Sequence, residues 1–544
     1  MARTKSVEPP DQARPAPHAV VVPPSIAARH GARVLDPVTA VRLPDSTAPR
    51  PTVYAGERLV MQRGVADRDA ADPLVQLRDP CAQLGVRMER TSTGFDRLRR
   101  RRGARPPVHP EVLDLIRRHW MDTVRLTPGA DQPDQPVDAW PCLRRLQSDA
   151  PDQARTMRLD HLIAATPVAG TPYWGGTPYW GGTPYWGGTP YWGGTQSPAV
   201  EYGRAGFGGR SPVAVVLPNP AVGAARVPRA PVVAVPDTGL GSHPWFDGDP
   251  TVTTEVYFDG ILLGLHGPVP FDADSPPPAA NPLDPGIEPD TGHGTFIAGL
   301  IRQLCPQARI LAIPVMRNDG VVAESGLVNT LTLLLARHKQ SLLDGTEDGL
   351  VDVLSLSLGY YHESAEDHRM DGPFGALMRE YAAHGVAVVA AAGNSTTLSP
   401  MYPAGFAADV TGFAEGRVPL ASVGALNPGG KTVAYFSNDG DWVSTFRKGS
   451  ALVSTFPTDV TAALQPSAEV TFRGRQRTTM DPDDFSGGFC TWSGTSFAAP
   501  VLAGEIAAAL VGDPDLPAID QATAVARGRR AVKAVVAEWQ GKGL

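Results

Sequence analysis

Hydrophobic and polar positions along this 544-residue chain fall into distinct patterns, and each predicts a different kind of segment. Residues 1–52 carry proline repeatedly without a sustained apolar period, so they bury too little surface to fold and are expected as a flexible tail. From Val53 to Val168 the pattern becomes periodic. Leu59-Val60-Met61 is an extended apolar stretch, Leu74, Leu77, Cys81 and Leu84 recur at helical spacing, and Val86-Arg87-Met88 is extended again. A helix over Pro110–Trp120, a strand at Thr123–Leu126, a helix starting near Asp138 with Pro141 in its first turn, and a strand over Met157–Ile163 complete the segment. With the Pro110 helix set aside as an insertion, the order is βαββαβ, which predicts a small α+β, ferredoxin-like domain over 53–168.

Residues 171–194 repeat Thr-Pro-Tyr-Trp-Gly-Gly four times, a period too short for a unit with its own core. Stiff Thr-Pro steps and flexible glycine pairs make 169–212 an interdomain linker. Its functional alternative is an aromatic tether that docks on a protein partner or on the neighbouring domain. Over 213–544, apolar runs of strand length stand at Val213–Leu217, Val232–Val235, Ile310–Val315, Val353–Leu358, Val386–Ala391 and Leu420–Val423. Helical patterns around His293–Gln303, Glu324–Lys339 and Phe374–His384 separate several of them. Near-continuous apolar strands interleaved with helices predict an α/β fold with a parallel sheet buried on both faces. In such sheets function gathers at the carboxyl ends of the strands.

Composition removes several function classes. A formal net charge of −7 from nearly balanced acids and bases supplies no basic field, so nucleic acid is not an expected partner. No apolar run of about 18 residues appears, so no membrane span is expected. Met1–Pro24 lacks an apolar signal core, which points to a cytoplasmic location. Cys81, Cys142, Cys305 and Cys490 are scattered without ligand spacing and are expected as buried thiols. The six arginines of Arg97–Arg105 are expected in a solvated loop, with a processing site or anion patch as the alternative.

Four motifs at predicted element ends carry candidate chemistry. Val232–Val235 runs into Pro236-Asp237-Thr238-Gly239, putting a carboxylate where a buried strand stops and able to accept a histidine N–H; by itself it also reads as a turn aspartate. Gly292-His293-Gly294-Thr295 opens an apolar helix, placing an imidazole at its mouth between glycines that let a substrate backbone approach. Gly494-Thr495-Ser496 leads into a helix of small residues. The serine there reads as an N-cap or as a hydroxyl beside free N–H groups that stabilise an anion. The strand ending at Ala391-Ala392 is followed by Gly393-Asn394, a turn amide or a donor to a tetrahedral oxyanion. Their joint occurrence in the order Asp, His, Asn, Ser is what singles them out.

With Asp-Thr-Gly, His-Gly-Thr, Ala-Gly-Asn and Gly-Thr-Ser-Phe-Ala-Ala-Pro in place, the chain resembles the subtilase family of serine peptidases over roughly 213–511. The resemblance implies a subtilisin-like parallel sheet flanked by helices and a serine endopeptidase that attacks a polypeptide substrate through an acyl-enzyme. In that scheme Asp237 orients the imidazole, His293 is base then acid, Ser496 is the nucleophile, and Asn394 and the Ser496 amide hold the oxyanion. Ser357-Leu358-Gly359 and Gly320-Val321-Val322 are implied as the two walls of a groove for extended peptide, and Ala391-Ala392-Gly393 as a side of the first specificity pocket. Calcium is common in the family, yet no loop presents a convincing ligand pattern, so no cofactor is expected and calcium stays open. The βαββαβ order is also that of subtilase propeptides, which makes 53–168 an expected intramolecular chaperone or inhibitor.

Departures from the family pattern are Phe296 where many members have a second histidine, Arg447-Lys448-Gly449 in place of Ala-Pro-Gly, and a Pro-rich stretch with Pro276–Pro278 and Pro282 between Asp237 and His293. The last is expected as an insertion near the cleft. Sedolisin-type acid peptidases would have Glu at His293 and Asp at Asn394, and this chain has neither. The competing class is a catalytically silent, subtilase-like peptide-binding or scaffold protein.

Overall fold

A computed structural model describes residues 24–43, 47–62, 73–91, 108–131, 134, 136–165, 202, 208–265, 287–364, 372–407, 416–461 and 465–540. The arginine block, the aromatic repeats and the Pro276–Pro282 stretch lie outside these residues.

The N-terminal unit contains α1 (Pro24–His30), β1 (Ala32–Leu35), β2 (Thr52–Gln62), α2 (Pro73–Gln83), β3 (Val86–Arg90), α3 (Pro110–His119), β4 (Met121–Pro128), α4 (Ala139–Asp149), α5 (Pro151–Ala154) and β5 (Met157–Ala165). Its strands run antiparallel in the order β5-β2-β4-β3, the ferredoxin-like arrangement. The Asp138 carboxylate caps α4 by accepting the Trp140 N–H, and Leu59, Leu77, Val124, Leu146 and Leu159 fill the core.

The expected flexible tail is ordered from Pro24 to Leu43. β1 pairs with β2 from Ala32↔Ala55 to Leu35↔Thr52, Leu35 is buried, and Trp140 donates its indole N–H to the Val41 carbonyl at 2.9 Å. A four-residue strand that borrows its partner from residue 52 onward leaves no periodicity of its own.

The C-terminal unit runs through β6 (Ser211–Pro212), β7 (Val232–Asp237), β8 (Val252–Thr253), the hairpin β9 (Tyr257–Phe258) and β10 (Ile261–Leu262), α6 (His293–Leu304), β11 (Arg309–Pro314), β12 (Val321–Ala323), α7 (Glu324–Asp344), β13 (Val353–Leu356) and β14 (Leu358–Gly359). It continues with α8 (Pro373–Ala383), β15 (Ala387–Ala391), β16 (Ala421–Leu426), β17 (Thr445–Lys448), β18 (Leu452–Thr455), the hairpin β19 (Glu469–Phe472) and β20 (Arg475–Thr478), β21 (Phe489–Trp492), α9 (Thr495–Val511) and α10 (Gln521–Gln540).

Seven parallel strands in the order β17-β16-β15-β13-β7-β11-β8 form the central sheet. α6, α9 and α10 cover one face and α7 and α8 the other, so apolar side chains on both sides of each strand are buried. β7 leads outward to β11, whereas β13 lies on its other side, so the crevice above β7 and β13 is the topological switch point.

The predicted strand Val213–Leu217 is instead an irregular segment with Val215 and Val216 exposed. Prolines at 212, 218 and 220 withhold the N–H groups a ladder needs. The predicted strand Val353–Leu358 divides at Ser357. β13 stays in the parallel sheet, while β14 turns out to pair antiparallel with β5 of the N-terminal unit. α3 packs on α7, and Val60, Leu115, Ile116, Trp120 and Ile163 join the same apolar cluster as Leu327, Leu331 and Phe374. All four cysteines are buried and unbridged. No helix among the described residues is long and apolar enough to cross a membrane.

Candidate active site

Asp237 is the last residue of β7, where the strand leaves the sheet beside the switch point. One carboxylate oxygen, Oδ1, accepts the Thr238 N–H at 2.8 Å and bonds His293 Nδ1 at 2.7 Å. A carboxylate on Nδ1 selects the tautomer with its proton there, so Nε2 carries the lone pair. His293 opens α6, and Phe497 and Trp492 lie against its ring at centroid distances of 5.3 and 5.7 Å.

Packing requires both flanking glycines. Gly292 has φ 80° and a side chain there would strike the Phe456 ring, whereas one at Gly294 would strike the Gly239 carbonyl.

Ser496 is the second residue of α9, with its hydroxyl donating to the Ser357 carbonyl at 3.1 Å while Ser357 Oγ donates to the Ser496 carbonyl at 2.7 Å. This reciprocal pair ties the start of α9 to the point where β13 gives way to β14. Asn394 follows β15, and its Oδ1 accepts from both Thr495 N at 3.0 Å and Thr495 Oγ1 at 2.9 Å. These two bonds commit the Asn394 carboxamide oxygen to the residue just before Ser496. Asp237, His293 and Ser496 are 1%, 0% and 0% exposed, so bulk solvent does not reach them in this conformation.

β5 lies between β12 and β14, antiparallel to both, with Val321↔Ala164, Val322↔Ile163 and Ala323↔Leu162 on one side and Leu358↔Ala165 and Gly359↔Ala164 on the other. The Ala165 N–H donates to the Gly320 carbonyl at 2.8 Å. Both walls implied by Ser357-Leu358-Gly359 and Gly320-Val321-Val322 are thus brought together around one extended backbone. Ala391, the last residue of β15, and Ala392 after it are fully buried, and Gly393 adopts φ 102° against the Asn438 amide.

Fold and geometry agree with a comparison against family models, in which the subtilase family matches residues 229–535, more than half of the chain. The chain belongs to the subtilase family. It is therefore a serine peptidase. No curated protein matches the chain.

Several residues that support this subtilase site carry no motif of their own. Arg210, placed with the linker by sequence, is buried and donates through one Nη to the carbonyls of Glu288, Pro289 and Thr291, bracing the segment that leads to His293. Burial pushes its guanidinium down to about 10. Tyr202 likewise belongs to this unit, with its hydroxyl donating to Asn427 Oδ1 at 2.8 Å. Asn438 holds the loop of Asn394, donating to the Ala392 carbonyl at 2.8 Å and accepting the Ser395 N–H at 2.9 Å. Asp290 is buried with one carboxylate oxygen against Gly320. Burial pushes it up to about 7, opposed by the positive charge of His293 and Arg210.

Proposed function

We propose that the protein is a serine endopeptidase held silent by its own N-terminal unit. Ser496 Oγ attacks a peptide carbonyl while His293 Nε2 takes its proton, and Asp237 stabilises the imidazolium. The Asn394 amide and the Ser496 N–H, at the positive end of α9, receive the developing oxyanion. His293 then returns the proton to the leaving amine. A water repeats the sequence on the acyl-enzyme, releasing the acid and restoring the hydroxyl.

The observation that carries this proposal is the seating of β5 between β12 and β14, the latter following directly on Ser357, which exchanges hydrogen bonds with Ser496. Its main chain bonds along both walls without either terminus being engaged, because β5 is an internal segment. A groove that takes internal backbone suits endopeptidase action. The same strand occupies both walls, which supports inhibition by the N-terminal unit.

The test is active-site labelling with a fluorophosphonate. Ala165→Pro removes the N–H given to Gly320 and places a ring against that carbonyl, loosening the plug without touching the triad. Faster labelling of Ser496 in this variant than in the native chain is expected, with none in Ser496→Ala. A folded Ala165→Pro protein that stays unlabelled would overturn the enzyme reading; equal rates in both would overturn inhibition by β5.

A further inference from the structure

The seam between the two units brings together four titratable side chains that the peptidase chemistry does not use. His161 on β5 is 2% exposed and stacks on Tyr360 with ring centroids 4.7 Å apart. Its Nδ1 is 2.6 Å from Glu324 Oε2, and its Nε2 is 2.6 Å from Glu363 Oε2. His362 Nδ1 lies 3.6 Å from that same Glu363 oxygen, with its ring centroid 5.3 Å from that of His161. One ligand atom each from His161, His362 and Glu363 falls within 4.8 Å of the others. A cavity of about 20 Å³, lined by Arg158, His161, Glu324, Tyr360 and His362 among others, adjoins them and has room for one water-sized species.

Two imidazoles and a carboxylate form the donor set that zinc and similar divalent ions take. Bonds of roughly 2.0–2.2 Å to such an ion ask for donors about 3.3 Å apart. The observed 2.6 and 3.6 Å reach that by shifts below an ångström, and the His161–His362 pair, within 4.8 Å, by a shift of at most about 1.5 Å. Glu324 completes the arrangement from behind: by accepting the Nδ1 proton of His161 it fixes the tautomer that presents Nε2 to the ion, as carboxylates do for metal-bound histidines.

We propose that His161, His362 and Glu363 form a divalent-metal site of the zinc class, which staples β5 into the groove. The ion takes the place of the proton shared between His161 Nε2 and Glu363, and that proton leaves to solvent. His362 contributes neutral Nδ1 by giving up the Ser364 N–H that it accepts at 3.1 Å, and water fills the remaining position. His161 belongs to one unit and the other two ligands to its neighbour, so the site is complete only with β5 seated. Metal at about 100 times its dissociation constant therefore shifts the equilibrium toward the seated form about 100-fold. The staple's regulatory meaning rests on the inhibition proposed above, whereas the metal site itself does not.

The full-length chain titrated with Co2+ tests this directly. One equivalent with the visible absorption of tetrahedral Co2+ is expected, abolished in His362→Gln and Glu363→Gln and weakened about 10–100-fold in Glu324→Gln. Hydrogen exchange of the β5 amides is expected to slow with Zn2+ and to recover with a chelator. Absence of the tetrahedral spectrum, equal Co2+ binding by native protein and both ligand variants, or β5 exchange unmoved by saturating Zn2+ would each overturn the proposal. Should one ligand variant fail to fold, the other and the exchange measurement still decide. Neither readout involves Ser496, so a failure of labelling would remove the peptidase proposal and leave this one standing.

Discussion

Asn394 commits its carbonyl oxygen to Thr495, and in the mechanism proposed above Asn394→Ala removes one of the two oxyanion donors. In the released enzyme kcat is expected to fall about 10²–10³-fold with KM little changed, the range for loss of one oxyanion donor, which steady-state kinetics on a peptide ester will show. Asp290 acts on the same centre through charge. Its carboxyl, pushed up to about 7 mainly by burial, is neutral below that pH and negative above it, and its charge favours the imidazolium of His293. Asp290→Asn deletes that charge, so the acid limb of kcat/KM against pH is expected to move to lower pH. An unmoved limb would show that the two groups are not coupled.

At the scale of elements, α6 carries His293 and is pressed close to β18. A side chain at Gly299 would collide with the hydroxyls of Thr455 and Ser454, which donate to the carbonyls of Thr295 and Phe296 at 2.7 Å. Gly299→Ala is expected to cost about 1–3 kcal/mol in a urea unfolding curve, the usual penalty for overpacking. At the amino-terminal end of the central strand β13, Asp352 is clasped by Arg229 at 2.6 and 2.9 Å and approached by Arg527 at 3.3 Å, all buried. Burial alone would raise this carboxyl, but the two guanidiniums outweigh it and hold it below its ordinary value. A depressed carboxyl gives stability that is present above its unfolded pKa and lost as pH falls through the folded one. Asp352→Asn is therefore expected to cost about 3–5 kcal/mol at neutral pH, with the gap to native protein shrinking in strong acid.

For the molecule as a whole, the N-terminal unit is part of the core as well as a cover. Val112, Leu115, Ile116, Trp120 and Ile163 share one apolar cluster with α7 and α8, and removing residues 1–165 would leave that surface bare. The truncated chain is expected to refold in low yield, and adding the isolated unit during refolding is expected to restore yield while slowing fluorophosphonate labelling. Full refolding without it would show that the C-terminal unit needs no template.

How far sequence led is best seen in particular residues. The sheet strands at Val232, Ile310, Val353 and Val386, the βαββαβ order and the four motif sites were legible because strand burial and helix amphipathicity write themselves as local periods. By itself the sequence determined the α/β class and singled out Asp237, His293, Asn394 and Ser496 as a candidate set. Tertiary structure alone decided what covers them. That β14 leaves its sheet to pair with β5, that Arg210 braces the segment before His293, and that His161 meets Glu324 and Glu363 are contacts across 78 to 202 residues of chain. Pairing partners at such separations are chosen by the packing of whole elements, which leaves no period in the residues on either side.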